Sequence, residues 1–416
     1  IDNLEPLVPQ YDLVLISDFG HGFITENIFR AIEGKAKVLA INTQTNAANA
    51  GYNLITKYFN PNYVCLDESE VRLAAQKKHS DIEEIAQKIR KDLNANYLEV
   101  TLGKKGSIGV NYDGKIKIIN IVSKEVTDIK HNLNFLEDGQ GGLLDIIYQD
   151  DTLWISYSEN RGDSKTSTSI AKAQLNKQEL NFKNIFQANP PIDSGYHFGS
   201  RLAIKGNYLF ASAGERGQGM IAQDPTKHPG SIIRIHTDGS IPKDNPKFEG
   251  KSDWLPEIYQ IGIRNPQGLV LSPYDQKIYL SNHGARGGDW FGEVKKGENY
   301  GWKILGWGGT NYSGSKIGPK WEPGFTKAIQ YWVPSIATSA ITIYKGKEFE
   351  EWNGHALITS LKDKSLRKLI FNDLSNVKEE IIFNDKIGRI RDIQVHPNNG
   401  KIYFLAGDNL WSMGKS

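Results

Sequence analysis

Cysteine is almost absent: Cys65 is the single one in 416 residues. An intrachain disulfide is therefore impossible, and so is a metal site built from several thiolates. The redox compartment stays open. Long apolar runs are also missing, and no stretch reaches the roughly 18 residues of a membrane-spanning helix. Net charge is nearly absent too, since 50 basic residues against 48 acidic ones leave +2. No global field then steers the chain toward nucleic acid or a membrane surface, and an anion site has to be a local cluster. The opening residues, Ile1 to Pro6, lack an initiating Met and the basic and apolar parts of a signal peptide. The sequence is expected to be a fragment without such a peptide.

What is present is an ordinary globular balance, 39% hydrophobic and 24% charged, with 41 glycines and 9 tryptophans that suit a turn-rich β protein. The length allows two domains, and the chain changes character near residue 114. Before it, Tyr11–Ser17, Lys37–Asn42, Tyr63–Leu66 and Tyr97–Leu102 have the composition of buried strands. Thr25 caps a helix running to about Glu33, and Asp67–Asn94 keeps helical spacing. Strand–helix alternation of this kind predicts a parallel α/β sheet.

After residue 114 a different unit recurs: a polar turn, then a short apolar or aromatic strand. It begins at Asp113, Asp151, Gly206, Asp275, Asn353 and Asn399. Six copies at uneven intervals predict a six-bladed β-propeller with loop insertions. A sandwich whose strands share turn chemistry is the alternative.

Four segments of this second part carry candidate chemistry. In Gly388-Arg-Ile-Arg-Asp392, strand periodicity puts Arg389 and Arg391 on one face. Their forked donors match carboxylates, although solvated arginines on an edge strand are commoner. Arg264 and Asn265 precede the sharp turn at Pro266, where loop residues reach a pocket. His197 precedes a strand, as either a structural or a catalytic histidine. Asn282-His-Gly-Ala-Arg-Gly-Gly-Asp289 is glycine-rich, and its carbonyls could ligate a hard cation, although a plain loop fits equally well.

Taken in order with Gly139–Asp145, Gly230–Ile235, Asn299–Trp302 and Tyr331–Ile336, these segments resemble the PQQ-dependent soluble aldose dehydrogenases of the glucose/sorbosone dehydrogenase family. The resemblance covers residues 115–416 and implies an oxidoreductase that passes hydride from an aldose C1 to PQQ with calcium assistance. It implies His197 as general base, Arg264 and Asn265 at the quinone edge, and Gln140 as a further cofactor contact. Lys362, Arg389 and Arg391 would hold the PQQ carboxylates. The carbonyls of Gly284 and Ala285 match those that hold calcium, with alanine standing where the family usually has proline. Asp289 and Tyr300 match a second calcium site, at which Trp290 replaces a common glutamate. Partners implied are an aldose and an external electron acceptor, either a quinone or a small redox protein; the implied location is periplasmic, with a cytoplasmic one as the alternative for a sequence read as lacking a signal peptide.

Residues 1–114 resemble the middle of a PfkB-type, ribokinase-like carbohydrate kinase through Ser17–Gly22, Asn60–Glu70 and Thr101–Ser107. The sugar-binding beginning and the later Gly-Ala-Gly-Asp motif are missing, so kinase activity is not expected. The propeller resemblance also lacks most of a first blade. A cofactor-free propeller that serves as a binding scaffold is the competing reading.

Overall fold

Thr25 starts a helix as its sequence suggests: its side chain accepts the Ile28 N–H and Glu26–Ile32 follows. The Asp67–Glu70 stretch does the same with two carboxylates, each accepting the other residue's N–H. The helix Glu68–Ala74 then begins, and a separate one spans Ile82–Asp92. In this computed structural model, residues 4–45, 51–111, 116–176, 178–246, 254–371, 376–407 and 409–415 are described. The chain divides into two units, Ile1–Ile116 and Lys117–Ser416.

The first unit is a five-stranded sheet in sequential order. Val14–Asp18, Leu39–Thr43, Tyr63–Asp67 and Tyr97–Thr101 run parallel, and Ser107–Asn111 adds an antiparallel edge. Its core joins both layers, with Ile16, Val64 and Leu98 from the strands against Phe29, Ile85 and Ile89 from the helices. Strand–helix layering is common to many unrelated folds. The likeness to carbohydrate kinases is not supported by the structure beyond that.

The second unit is a six-bladed β-propeller, nearly all β, with six sheets. The first strands of five sheets succeed one another: Leu143–Gln149, Gly199–Lys205, Asn265–Leu271, Thr338–Ile343 and Ile390–Val395. Cores fill the spaces between neighbouring sheets. Trp154, Phe186 and Leu209 fill the first, Phe210, Leu269 and Trp290 the second. Tyr279, Phe291 and Leu369 fill the third, Leu357, Ile393 and Phe404 the fourth. The three sheets that lie between two such cores bury both faces, which explains why most of their strands are apolar nearly throughout.

The repeated turn–strand unit has a structural meaning. Five of its six copies are the second strands of these sheets: Thr152–Asn160, Tyr208–Ala213, Ile278–His283, Ala356–Ser360 and Ile402–Ala406. The remaining copy is different. Its turn, at 112–115, lies outside the described residues, and its strand Ile116–Ile119 is the edge of a small three-stranded sheet. That sheet is the propeller's short blade, and its two longer strands are largely exposed.

This topology decides where a site can form. The start of each first strand lies beside the end of the second, as in the pairs Gly199 with Ala213, Asn265 with His283 and Thr338 with Ser360. Gln140, His197, Arg264, Asn265, Gly284, Ala285, Lys362, Arg389 and Arg391 all fall at that end of their hairpins. One edge of the propeller collects them.

Candidate active site

His197 sits on a backbone that few residues adopt, with φ of +51°. Left-handed geometry of this kind in a non-glycine residue costs about 1 kcal/mol or more and persists where its surroundings enforce it. Here they do. The His197 N–H donates to Gln140 Oε1 at 2.9 Å. A β-carbon on Gly214 would lie 1.9 Å from the His197 carbonyl oxygen, so only glycine allows this approach. The imidazole Nδ1 bonds to the Glu215 carboxylate, which also accepts the Gly219 N–H. With Nδ1 engaged, Nε2 is the nitrogen available to a substrate.

The electrostatics favour a neutral imidazole. Burial pushes the His197 pKa down; Glu215 opposes this, while the Arg264 and Arg216 charges add to it, and the net shift is downward. Burial pushes Glu215 up, but its bonds from His197 and Gly219 and the Arg264 charge outweigh burial and hold it below the usual range. The pair is a carboxylate and an imidazole, with the ring held by its anionic partner.

Glu215 connects this pair to the next sheet, because its N–H donates to the Arg264 carbonyl at 2.8 Å. Asn282 Oδ1 accepts the N–H groups of Arg264 (3.1 Å) and Asn265 (2.9 Å). Asn265 Oδ1 in turn accepts the Gly199 N–H at 3.1 Å, tying the two first strands together. The Arg264 guanidinium is buried and lies over the Trp302 ring, 5.3 Å from its centroid. Burial lowers its pKa, though Glu215 and Tyr312 oppose that. Trp302 packs with Ala285, and its buried indole N–H has no partner among the described residues.

The loop from Gly284 is drawn tight. A β-carbon on Gly284 would lie 2.2 Å from the Gly287 carbonyl oxygen. Asp289 is fully buried and spends its carboxylate inside the protein. It accepts from the Gly284 N–H (2.8 Å), the Ser335 hydroxyl (2.7 Å) and the Ala337 N–H (2.7 Å). Tyr300 faces elsewhere: its hydroxyl donates to the Glu293 carbonyl, and its ring stacks on Trp290 at 4.0 Å. Asp289 and Tyr300 therefore have separate protein partners, and Trp290 makes that region apolar.

Lys362 follows the strand Ala356–Ser360, and its N–H donates to the Ile336 carbonyl at 3.1 Å. It lines a cavity of about 430 Å³ with Val333, Ser335, Asp363 and Arg367. The arginine pair departs from simple alternation. The strand begins only at Ile390, and its register shifts between Ile390 and Asp392, so Arg389 precedes the strand and Arg391 sits in a bulge. Arg201 donates to the Arg391 carbonyl at 3.2 Å and lies between Asp145 and Asp392, holding the start of that strand.

The structure thus bonds His197 to Gln140 directly and to Arg264 by way of Glu215, ties Asn265 to Gly199 on the strand after His197, and sets Gly284, Ala285, Lys362, Arg389 and Arg391 at the same propeller edge. Glu215 is the residue of this candidate site that sequence reading misses. A signal existed, because it lies just past the end of the second strand that pairs with the strand after His197.

The sequence profile of the glucose/sorbosone dehydrogenases matches residues 100–410. The chain belongs to this family. The match starts inside the first unit and takes in the strand Ser107–Asn111. The chain is 37% identical over 283 residues to the aldose sugar dehydrogenase of Escherichia coli, covering 65% of this chain and 76% of that protein. Identity to the quinoprotein glucose dehydrogenase B of Acinetobacter calcoaceticus is 25%, over 70% of this chain and 77% of the other. The crystal structure of the soluble aldose sugar dehydrogenase from Escherichia coli in its apo-form is similar with a TM-score of 0.68 and 32% identity, covering 76% of this chain and 95% of that one. Family membership supports an oxidoreductase acting on sugars.

Proposed function

We propose that this chain oxidises the C1 hydroxyl of aldoses, using PQQ as hydride acceptor and calcium as its companion cation. The observation that carries the reading is the His197–Glu215 pair held against Arg264, a base and a cation at the edge where the family's cofactor residues converge.

The residues present suit PQQ. Arg264, Lys362, Arg389 and Arg391 offer cations to a tricarboxylate at one end of three hairpins, and Gln140 and Asn265 offer amides. The unpartnered Trp302 indole N–H adds a donor next to Arg264. Among the described residues no three His, Cys, Asp or Glu side chains cluster as a metal site. The backbone carbonyls of Gly284 and Ala285 would hold calcium, as the family resemblance implies.

When bound, PQQ with calcium supplies a two-electron hydride acceptor. The chain's own residues do the rest. His197 Nε2 takes the proton of the sugar hydroxyl as the C1 hydride departs, and Glu215 steadies the imidazolium that forms. Arg264, desolvated, stabilises negative charge developing on oxygen. An external acceptor then removes the electrons.

The expected pH profile follows from burial. A base must be neutral to act, so kcat/KM is flat above the His197 pKa and falls about tenfold per pH unit below it. Because burial lowers that pKa, the acid limb is expected below the ordinary histidine value of about 6.5. Dye-linked oxidation of several aldoses across pH 4–9 checks this. An acid limb above pH 7 contradicts the assignment.

The arginine pair gives a second outcome. Arg391→Ala removes one carboxylate partner and is expected to weaken PQQ binding by about 2 kcal/mol, the low end for truncating a charge pair, because Arg391 is exposed. That is roughly thirtyfold in Kd by fluorescence titration. Unchanged affinity removes Arg391 from the site.

A further inference from the structure

Arg216 is among the largest fully buried side chains of the protein, 2% exposed, and no carboxylate among the described residues accepts its hydrogen bonds. Its Nε donates to the Tyr196 carbonyl at 3.0 Å and its Nη1 to the Thr166 carbonyl at 3.0 Å. Its Nη2 donates to the Thr166 hydroxyl at 2.7 Å and to the Ser194 carbonyl. The guanidinium lies over the Phe198 ring, its Cζ 3.6 Å from the centroid, and the Arg216 backbone N–H donates to the His197 carbonyl at 3.3 Å.

Burying a cation against neutral acceptors is a poor route to stability. The charge loses its hydration and carbonyl dipoles return only part of it, so an apolar side chain of similar volume does as well or better. Burial pushes the Arg216 pKa down to about 10 against the opposing charges of Asp138 and Glu215, which lie near without accepting its hydrogen bonds, so the guanidinium stays charged near neutrality. What this arrangement supplies is geometry. Two of the acceptors, the Ser194 and Tyr196 carbonyls, are backbone just before His197, and the other two belong to Thr166 of the preceding sheet; the ring partner is the residue just after His197, and Arg216 itself follows Glu215. One planar, rigid fork therefore fixes both members of the His197–Glu215 pair relative to each other. It does so where His197 and Arg216 both have left-handed φ, +51° and +56°, a backbone that relaxes unless held.

We propose that Arg216 is a positioning residue for the base: its guanidinium clamps the Ser194–Phe198 loop so that the His197 ring meets Glu215 through Nδ1 and keeps Nε2 toward the substrate. This rests on the reading of His197 as the base, and its test has a readout that needs no cofactor.

The full chain is labelled with ¹⁵N-histidine, and the His197 ring nitrogens are identified by their loss in His197→Ala. In the native chain one tautomer is expected, with the proton on Nδ1. In Arg216→Met the spectrum is expected to show both tautomers in comparable amounts. After loading with PQQ and calcium, kcat per bound PQQ is expected to fall about 10²-fold, as for a reacting group displaced by about 1 Å, with PQQ affinity nearly unchanged. Arg216→Lys is expected to behave like the Met variant, since one ammonium cannot span these acceptors.

A structural role alone would lower the melting temperature while leaving the tautomer and kcat per loaded site at native values, and that result overturns the proposal. Should Arg216→Met not fold, Thr166→Val removes one acceptor at nearly constant volume. It is expected to give a mixed tautomer and a smaller loss of kcat; a native spectrum and native kcat overturn the proposal equally. If His197→Ala turns over normally, the reading of His197 as base fails, while the tautomer spectrum still reports whether Arg216 holds the ring.

Discussion

His197→Ala is expected to lower turnover of the PQQ-loaded chain by roughly 10²–10⁴-fold, the contribution of a positioned general base. Cofactor affinity should change little, because the imidazole bonds to Glu215 rather than to a group proposed to hold PQQ. A loss in kcat at constant PQQ affinity separates a catalytic histidine from a structural one. The measurement is steady-state dye reduction at saturating aldose beside a PQQ titration of the same variant. A near-native rate returns His197 to the role of a buried structural residue.

Glu215→Gln is the more discriminating substitution and is expected to cost about 10²-fold in kcat. In the native protein one Glu215 oxygen accepts from Gly219 and the other meets His197 Nδ1. An amide has a single oxygen. With that oxygen on Gly219, its NH₂ faces Nδ1 and demands an acceptor there, so the ring proton moves to Nε2. The base is then blocked by the wrong tautomer. The opposite flip sets NH₂ against the Gly219 N–H. The substitution also removes the anion that favours imidazolium, so the remaining activity should show an acid limb at lower pH. The pH–rate profile of the variant checks both expectations. A native rate with an unmoved limb excludes a role for this carboxylate in holding the base.

Much of the architecture is legible in the sequence because it rests on local signals. Thr25 and Asp67 announce helix starts through capping chemistry, and the four parallel strands appear as short apolar runs. The turn–strand repeat marks the second strand of five propeller sheets, since a hairpin needs a polar turn followed by residues buried on both faces. What escaped lies between elements. The bulge at Ile390–Asp392 breaks the alternation assumed for Arg389 and Arg391, because a register shift depends on the partner strand. Glu215 is 18 residues from His197 and meets it only through the pairing of Gly199 with Ala213. Arg216 looks like any charged loop residue until the fold buries it. Trp290 stands where the family commonly has a glutamate, and its stack on Tyr300 gives it a packing role instead.

The central claim is that this propeller edge loads PQQ and passes sugar hydride to it. It is tested most directly by loading the purified chain with PQQ and calcium and recording the absorbance of bound PQQ as an aldose is added without any external acceptor. The account predicts stoichiometric reduction of PQQ that requires both calcium and the sugar and is lost in His197→Ala. A chain that binds no PQQ, or bound PQQ that stays oxidised with every aldose tried, would contradict it.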